Sequence, residues 1–231
     1  MLSRVNDPAE YLIEITDLHL ALERRPAPVR ENWAALSQVA AWAETFLCRP
    51  HPQLGRAGDV CPYTKSALRH NLFWLTICQG TQFAPEEAYT QVMSYRDWFL
   101  ELEPRQGKEA QFKTILMLFP NMQAEDAPGI IDSVQRKLKP GFVDKGLMIG
   151  QFHPHCPEPG LWNQDFRPLQ APMPLLAMRH MVSTDFPFLR KEEQFISAYI
   201  RVFGATIPLS MQETIKEARS NISKQQSITL P

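Results

Sequence analysis

The sequence predicts an α+β fold: a mixed sheet of about four strands with helices packed on it, and a long proline-rich loop before the last strand. Three observations carry that expectation. Four short apolar runs, residues 72–78, 112–119, 147–152 and 175–182, have the length and two-sided hydrophobicity of buried strands. Helical periodicity separates the first three, as in a sheet covered by helices. The third and fourth are joined instead by a stretch rich in proline, which favours a mixed sheet over a doubly wound parallel one.

The elements follow in order. Residues 8–24 (PAEYLIEITDLHLALER) fit a helix or a strand, and Leu12, Ile15 and Leu22 with Tyr11 and Leu18 favour the helix. Residues 31–47 read as a firmer helix, because Trp33, Leu36, Val39, Ala40, Ala43, Phe46 and Leu47 recur at three- and four-residue steps. His51-Pro52 ends it. A loop with two glycines (Gly55, Gly58) leads to Cys61-Pro62-Tyr63, then to a short helix over residues 65–71 and the first strand. Pro85 followed by Glu86 and Glu87 marks a helix start that should reach Leu102. A second strand, a helix over residues 130–138 and the third strand come next. After the fourth strand, helices over residues 190–203 and 210–219 close the chain. Residues 1–219 are expected to form one globular domain, with the polar residues 220–231 as a flexible tail.

Composition narrows the function classes. Of 231 residues, 44% are hydrophobic and 21% charged, which is a chain that folds around a core. A formal net charge of -1 supplies no general attraction to nucleic acid or anionic lipid. No apolar run approaches the ~18 residues of a membrane span, and the first residues turn acidic where a secretory signal needs an apolar stretch. Four cysteines without a CxxC pair read as reduced thiols, so the expected location is cytoplasmic.

Chemistry concentrates late in the chain. Along residues 175–182 the side chains alternate, so Arg179 sits on one apolar face and His180 on the other. A buried guanidinium needs an anion: an internal acid such as Asp185, or the carboxylate of a ligand held bidentately. His180 is either a satisfied core histidine or a ligand or catalyst. The loop contributes His153, His155, Trp162 and Arg167. Its two histidines give zinc too few ligands, whereas a haem needs one axial histidine such as His153, an apolar pocket and cations for its propionates. Cys61-Pro62-Tyr63-Thr64 before a short helix is similar to the thiol loop of glutaredoxins, although no strand precedes it and a buried structural cysteine reads better. No dinucleotide fingerprint, P-loop or GxSxG elbow is present.

Three segments, residues 51–63 (HPQLGRAGDVCPY), 146–154 (GLMIGQFHP) and 167–189 (RPLQAPMPLLAMRHMVSTDFPFL), resemble an uncharacterised bacterial family, a domain of unknown function often seen beside natural-product genes. More distantly, Cys61-Pro62 before a helix and His153-Pro154 followed by Arg167 resemble the YqcI/YcgG family, which includes a haem-dependent N-hydroxylase acting on a guanidine-bearing amino-acid derivative. The resemblance implies a haem-dependent oxygenase of specialised metabolism, N-oxygenating an amino-acid-derived, carboxylate-bearing substrate with the help of a redox partner. In that reading His153 is the axial metal ligand, and His155, Trp162, Arg167 and Arg179 help hold the cofactor or the substrate carboxylate. His180 and Asp185 act near the reacting group. The alternative expectation is a cofactor-free binding or accessory protein that holds an anionic small molecule or a partner on the same residues. A third is cofactor-independent acid/base catalysis by His153, His180 and Asp185.

Overall fold

The computed structural model describes residues 1–5, 7–78 and 84–228. Its centre is a mixed sheet of six strands: β1 (Leu2–Arg4), β2 (Asp7–Glu14), β3 (Phe73–Ile77), β4 (Thr114–Leu118), β5 (Leu147–Phe152) and β6 (Leu175–His180), ordered β1-β2-β3-β4-β6-β5. Only β3 and β4 run parallel; every other neighbouring pair is antiparallel. The α+β class with a mixed sheet therefore stands, with six strands instead of about four.

Of the two added strands, β2 occupies the segment that leaned towards helix and β1 lies ahead of it. Leu12 and Ile13 are both fully buried, Leu12 beneath one helical layer and Ile13 beneath the other. Adjacent residues buried on opposite sides require the two-residue period of a strand. Register with β3, Ile13 opposite Leu75 and Glu14 opposite Trp74, fixes the pairing. Helix begins only afterwards, in the single turn α1 (Ile15–Leu18).

The remaining helices are α2 (Ala27–Glu31), α3 (Trp33–Trp42), α4 (Thr64–Arg69), α5 (Pro85–Glu101), α6 (Ala127–Asp144), α7 (Phe186–Leu189), α8 (Glu193–Phe203) and α9 (Leu209–Ile228). A π turn, Ala43–Leu47, prolongs α3 to the end expected of it. The helix expected over residues 130–138 is longer, and α9 continues to Ile228 through residues expected to fray. Residues 229–231 of that expected tail lie outside the described residues.

Three apolar layers position everything else. On one face α5 and α6 bury Val92, Phe99, Ile131 and Phe142 against Trp74, Met117, Leu176 and Met178. On the other, Leu36, Val39 and Ala43 of α3 and its π turn cover Phe73, Leu75, Leu116 and Leu175, joined by Ala171 of the proline-rich loop. The third layer gathers Phe186, Leu189, Phe195 and Tyr199 beside Met148 and Met181, at the His180 end of β6. Burial at ~25 cal/mol per Å2 makes these layers the main source of stability. Among the described residues no helix is long and apolar enough to cross a membrane.

Candidate functional site

Arg179 and His180 leave β6 on opposite faces, as alternation demands. Asp185 takes the end of the guanidinium bidentately: Nη1 donates to Oδ2 at 2.7 Å and Nη2 to Oδ1 at 2.6 Å. Nη1 also donates to the His180 carbonyl at 2.9 Å. The turn that presents Asp185, Ser183–Asp185, is itself pinned. Val182 N–H donates to Asp185 Oδ2 at 2.8 Å, and the Tyr199 hydroxyl donates to the Ser183 carbonyl at 2.7 Å. Burial opposes the charge, but the bonds to Asp185 outweigh it and the guanidinium pKa rises. The Asp185 side chain is 3% exposed and that of Arg179 24%. Tyr63 lies over the guanidinium, its ring centroid 5.6 Å from Cζ, and its hydroxyl shares a 2.9 Å hydrogen bond with Thr184. Tyr63 immediately precedes α4, so a short helix and a tight turn from distant parts of the chain meet on one cation.

His180 enters the other layer. Its ring packs 5.0 Å from that of Phe99, and its buried Nε2 meets no hydrogen-bond partner among the described residues. Beside it lies Lys113, next to Thr114, which pairs with Arg179 across the β4–β6 ladder. The Lys113 ammonium is fully buried and donates to the Phe99 and Leu102 carbonyls at 3.0 and 2.7 Å, satisfying the C-terminal end of α5. Burial pushes that ammonium down to about 8. Burial, and next the Lys113 charge, push the His180 imidazole down to about 4.

His153 is at the opposite end of the sheet. Leu147 of β5 faces His180 and Phe152 faces Leu175, so His153 lies six residues along β5 from the His180 level, about 20 Å away. It is fully buried, with Nε2 3.1 Å from Asp132 Oδ1 on α6 and a buried Nδ1 that meets no partner among the described residues. The other loop residues spread outward. His155 is exposed, 4.0 Å from Glu125. Arg167 donates to the carbonyls of its own loop, Gln164 and Phe166. Trp162 is 68% exposed, held where its Cβ sits above Gly55. Gly55 has φ 77°, and a Cβ there would come within 2.9 Å of Trp162, so this turn and this approach both require glycine. His51 stacks on Phe166 at 4.6 Å, and Asn163 donates to the Gln53 carbonyl at 2.8 Å, fastening the two loops to each other.

These placements decide whether the expected residues suit a haem. The nitrogen of His153 left free is Nδ1, next to the ring carbon bearing Cβ, so a flat macrocycle bound there would meet the main chain. Of the cations named for propionates, Arg167 is turned onto carbonyls of its own loop, and Arg179, like His180, belongs to the far end. The residues therefore do not fit the group as a set. Among the described residues no cluster of three or more histidine, cysteine, aspartate or glutamate side chains is placed to hold a metal ion.

Of the expected residues Arg179, His180 and Asp185, the structure brings the first and last into contact. Thr184, Lys113 and Asp132 carry no such expectation, and Tyr63 stands in its segment without an assigned role. A lysine inside the apolar run FKTILMLF was the one signal available for Lys113. Among the described residues, surface hollows form elsewhere. One, of about 230 Å3, lies between Arg4, Trp98 and Glu101, and one of about 540 Å3 lies between Arg190, Lys191 and Glu217.

The chain belongs to the family described as a domain of unknown function, DUF6875, whose model matches residues 36–214, from within α3 to within α9. No curated protein and no solved structure matches it.

Proposed function

We propose that this member of the family binds a small carboxylate-bearing molecule at the rim formed by Tyr63, Arg179 and Thr184. One observation carries the reading. A guanidinium has five N–H donors in two usable forks. Asp185 fills the end-on fork of Arg179, and the His180 carbonyl takes the remaining proton of Nη1. The side-on fork, Nε–H with the adjacent Nη2–H, has no partner among the described residues, and the side chain keeps 24% of its exposure. Asp185 thus orients the cation and leaves free a second, parallel pair of donors of the spacing a carboxylate accepts. The Tyr63 and Thr184 hydroxyls beside it can exchange their mutual hydrogen bond for bonds to a ligand.

Thermal unfolding with a series of small carboxylates and their matching amides tests this. At a hundredfold excess over Kd, mass action stabilises the folded state by about 2.7 kcal/mol, roughly 5–10 °C for a domain of this size. The carboxylates should shift the transition and the amides should not. Arg179→Lys keeps a cation for Asp185 but has no side-on fork, so it should abolish the shift in a folded protein. A shift that survives this substitution, or none from any carboxylate, overturns the reading. Hemin is the competing arm: a Soret band that His153→Ala removes would favour the haem-dependent oxygenase instead.

A further inference from the structure

The segments that carry two of the four cysteines run side by side at the entrance to this rim. Pro50 and Asp59 form an antiparallel bridge. Val60 N–H donates to the Arg49 carbonyl and Cys61 N–H to the Leu47 carbonyl, both at 2.9 Å. Cys48 lies between those two accepting carbonyls, so its main chain is held against that of Cys61. Main chains joined by such bonds run about 4.7–4.9 Å apart, within the Cα separation of about 4.4–6.8 Å that a disulfide spans. The electrostatics agree with this closeness: after burial, the Cys61 charge is the next influence raising the Cys48 thiol pKa, to about 11.

The two thiols differ in access. Cys48 is buried at the end of the π turn, whereas Cys61 is half-buried. Cys61 is also close enough to Arg179 for its charge to act on that guanidinium. Lys65, an exposed cation whose charge lowers the Cys48 thiol, stands 3.9 Å from Asp59. Attack from outside therefore falls to Cys61 and resolution to Cys48. Cys78 and Cys156 are buried elsewhere, with burial raising both thiols.

We infer that Cys48 and Cys61 are a dithiol–disulfide pair that exchanges with low-molecular-weight disulfides. In the first step the Cys61 thiolate attacks one sulfur of RSSR, forming a mixed disulfide and releasing RS−. In the second, the Cys48 thiolate attacks the Cys61 sulfur and releases the other RS−. The chain loses two protons and two electrons, and RSSR becomes two thiols, so the exchange balances. Closure ties the end of the π turn to the segment that sets the Tyr63 ring over Arg179.

Glutathione disulfide is the probe. The full chain is equilibrated across reduced and oxidised glutathione mixtures, quenched with a thiol-blocking reagent, and mapped by peptide mass spectrometry. The expected product is a Cys48–Cys61 disulfide with no retained glutathione, while Cys78 and Cys156 stay blocked as free thiols. Cys48→Ser should accumulate a glutathione adduct on Cys61, and Cys61→Ser should take up none. If wild-type protein keeps the adduct on Cys61, or both thiols stay reduced at the most oxidising ratio, the inference fails. The wild-type map decides the matter without any variant, and independently of carboxylate binding.

Discussion

Arg179 and His180 are neighbours on one strand, each a polar intrusion into apolar surroundings, and the two faces of the sheet treat them oppositely. On the Arg179 face the fold keeps the charge and builds an acid to meet it. Asp185 is 3% exposed and receives two guanidinium bonds and one backbone bond. On the His180 face no acid among the described residues meets the ring; a buried ammonium is placed alongside, and the imidazole sheds its proton. The difference follows from acid–base chemistry. A guanidinium cannot lose its charge at accessible pH, so burial obliges the protein to pair it, whereas an imidazole escapes the desolvation penalty by becoming neutral. Identical sequence signals thus lead to an ion pair where deprotonation is closed and to a neutral core group where it is open.

Removing the acid tests the charged side and has the largest expected effect. Asp185→Ala strands a half-buried guanidinium and frees the Val182 N–H, and should destabilise the fold by about 3–5 kcal/mol in urea unfolding. Replacing both partners, Asp185→Leu with Arg179→Met, should recover much of that loss, because an apolar pair leaves no stranded charge. A loss below about 1 kcal/mol for Asp185→Ala would mean a solvated surface pair, and the contrast with His180 would collapse.

The neutral side predicts a pH dependence of intermediate size. The His180 pKa is about 4 in the folded protein, against 6.5 for the unperturbed group. Between those values the unfolded chain binds a proton that the folded chain refuses. This contribution is therefore fully present above pH 6.5 and is lost as pH falls through the folded value near 4. For a partly exposed ring the loss is roughly 1–3 kcal/mol. Urea unfolding between pH 4 and 7 should show it, and His180→Leu should flatten that part of the curve. An imidazole titrating near 6.5 by NMR would show instead that the ring is hydrated.

Local chemistry was legible in the sequence and distant pairing was not. The four apolar runs announced their strands because two-sided hydrophobicity over five to eight residues has few other uses. Asp185 could be named as the partner of Arg179 because it lies six residues away, across one tight turn. Asp132 reaches His153 from a helix 21 residues upstream, and Lys113 reaches His180 only through the β4–β6 register. Cys48 comes beside the Cys61 segment only after α3, its π turn and the following loop have folded back. Each of these depends on long-range pairing that no periodicity encodes. The β2 segment leans towards helix for a different reason: Leu12, Ile15 and Leu22 satisfy helical spacing, and the burial of Leu12 and Ile13 on opposite faces emerges only once both layers exist.

The smallest expected effect gives the sharpest test of the rim. Tyr63→Phe removes a hydroxyl whose partner, Thr184 Oγ1, is 2.9 Å away at an exposed site, while retaining the ring over Arg179. Water replaces that bond, so stability should change by about 0.5 kcal/mol or less. If the hydroxyl also contacts a bound carboxylate, binding should weaken by more than stability does, by about 0.5–1.5 kcal/mol, or up to roughly tenfold in Kd. Calorimetry with the tightest carboxylate from the thermal series reads that ratio directly. Equal small changes in stability and in binding would assign Tyr63 to packing alone, and the Arg179 fork would then have to hold its ligand without the phenol.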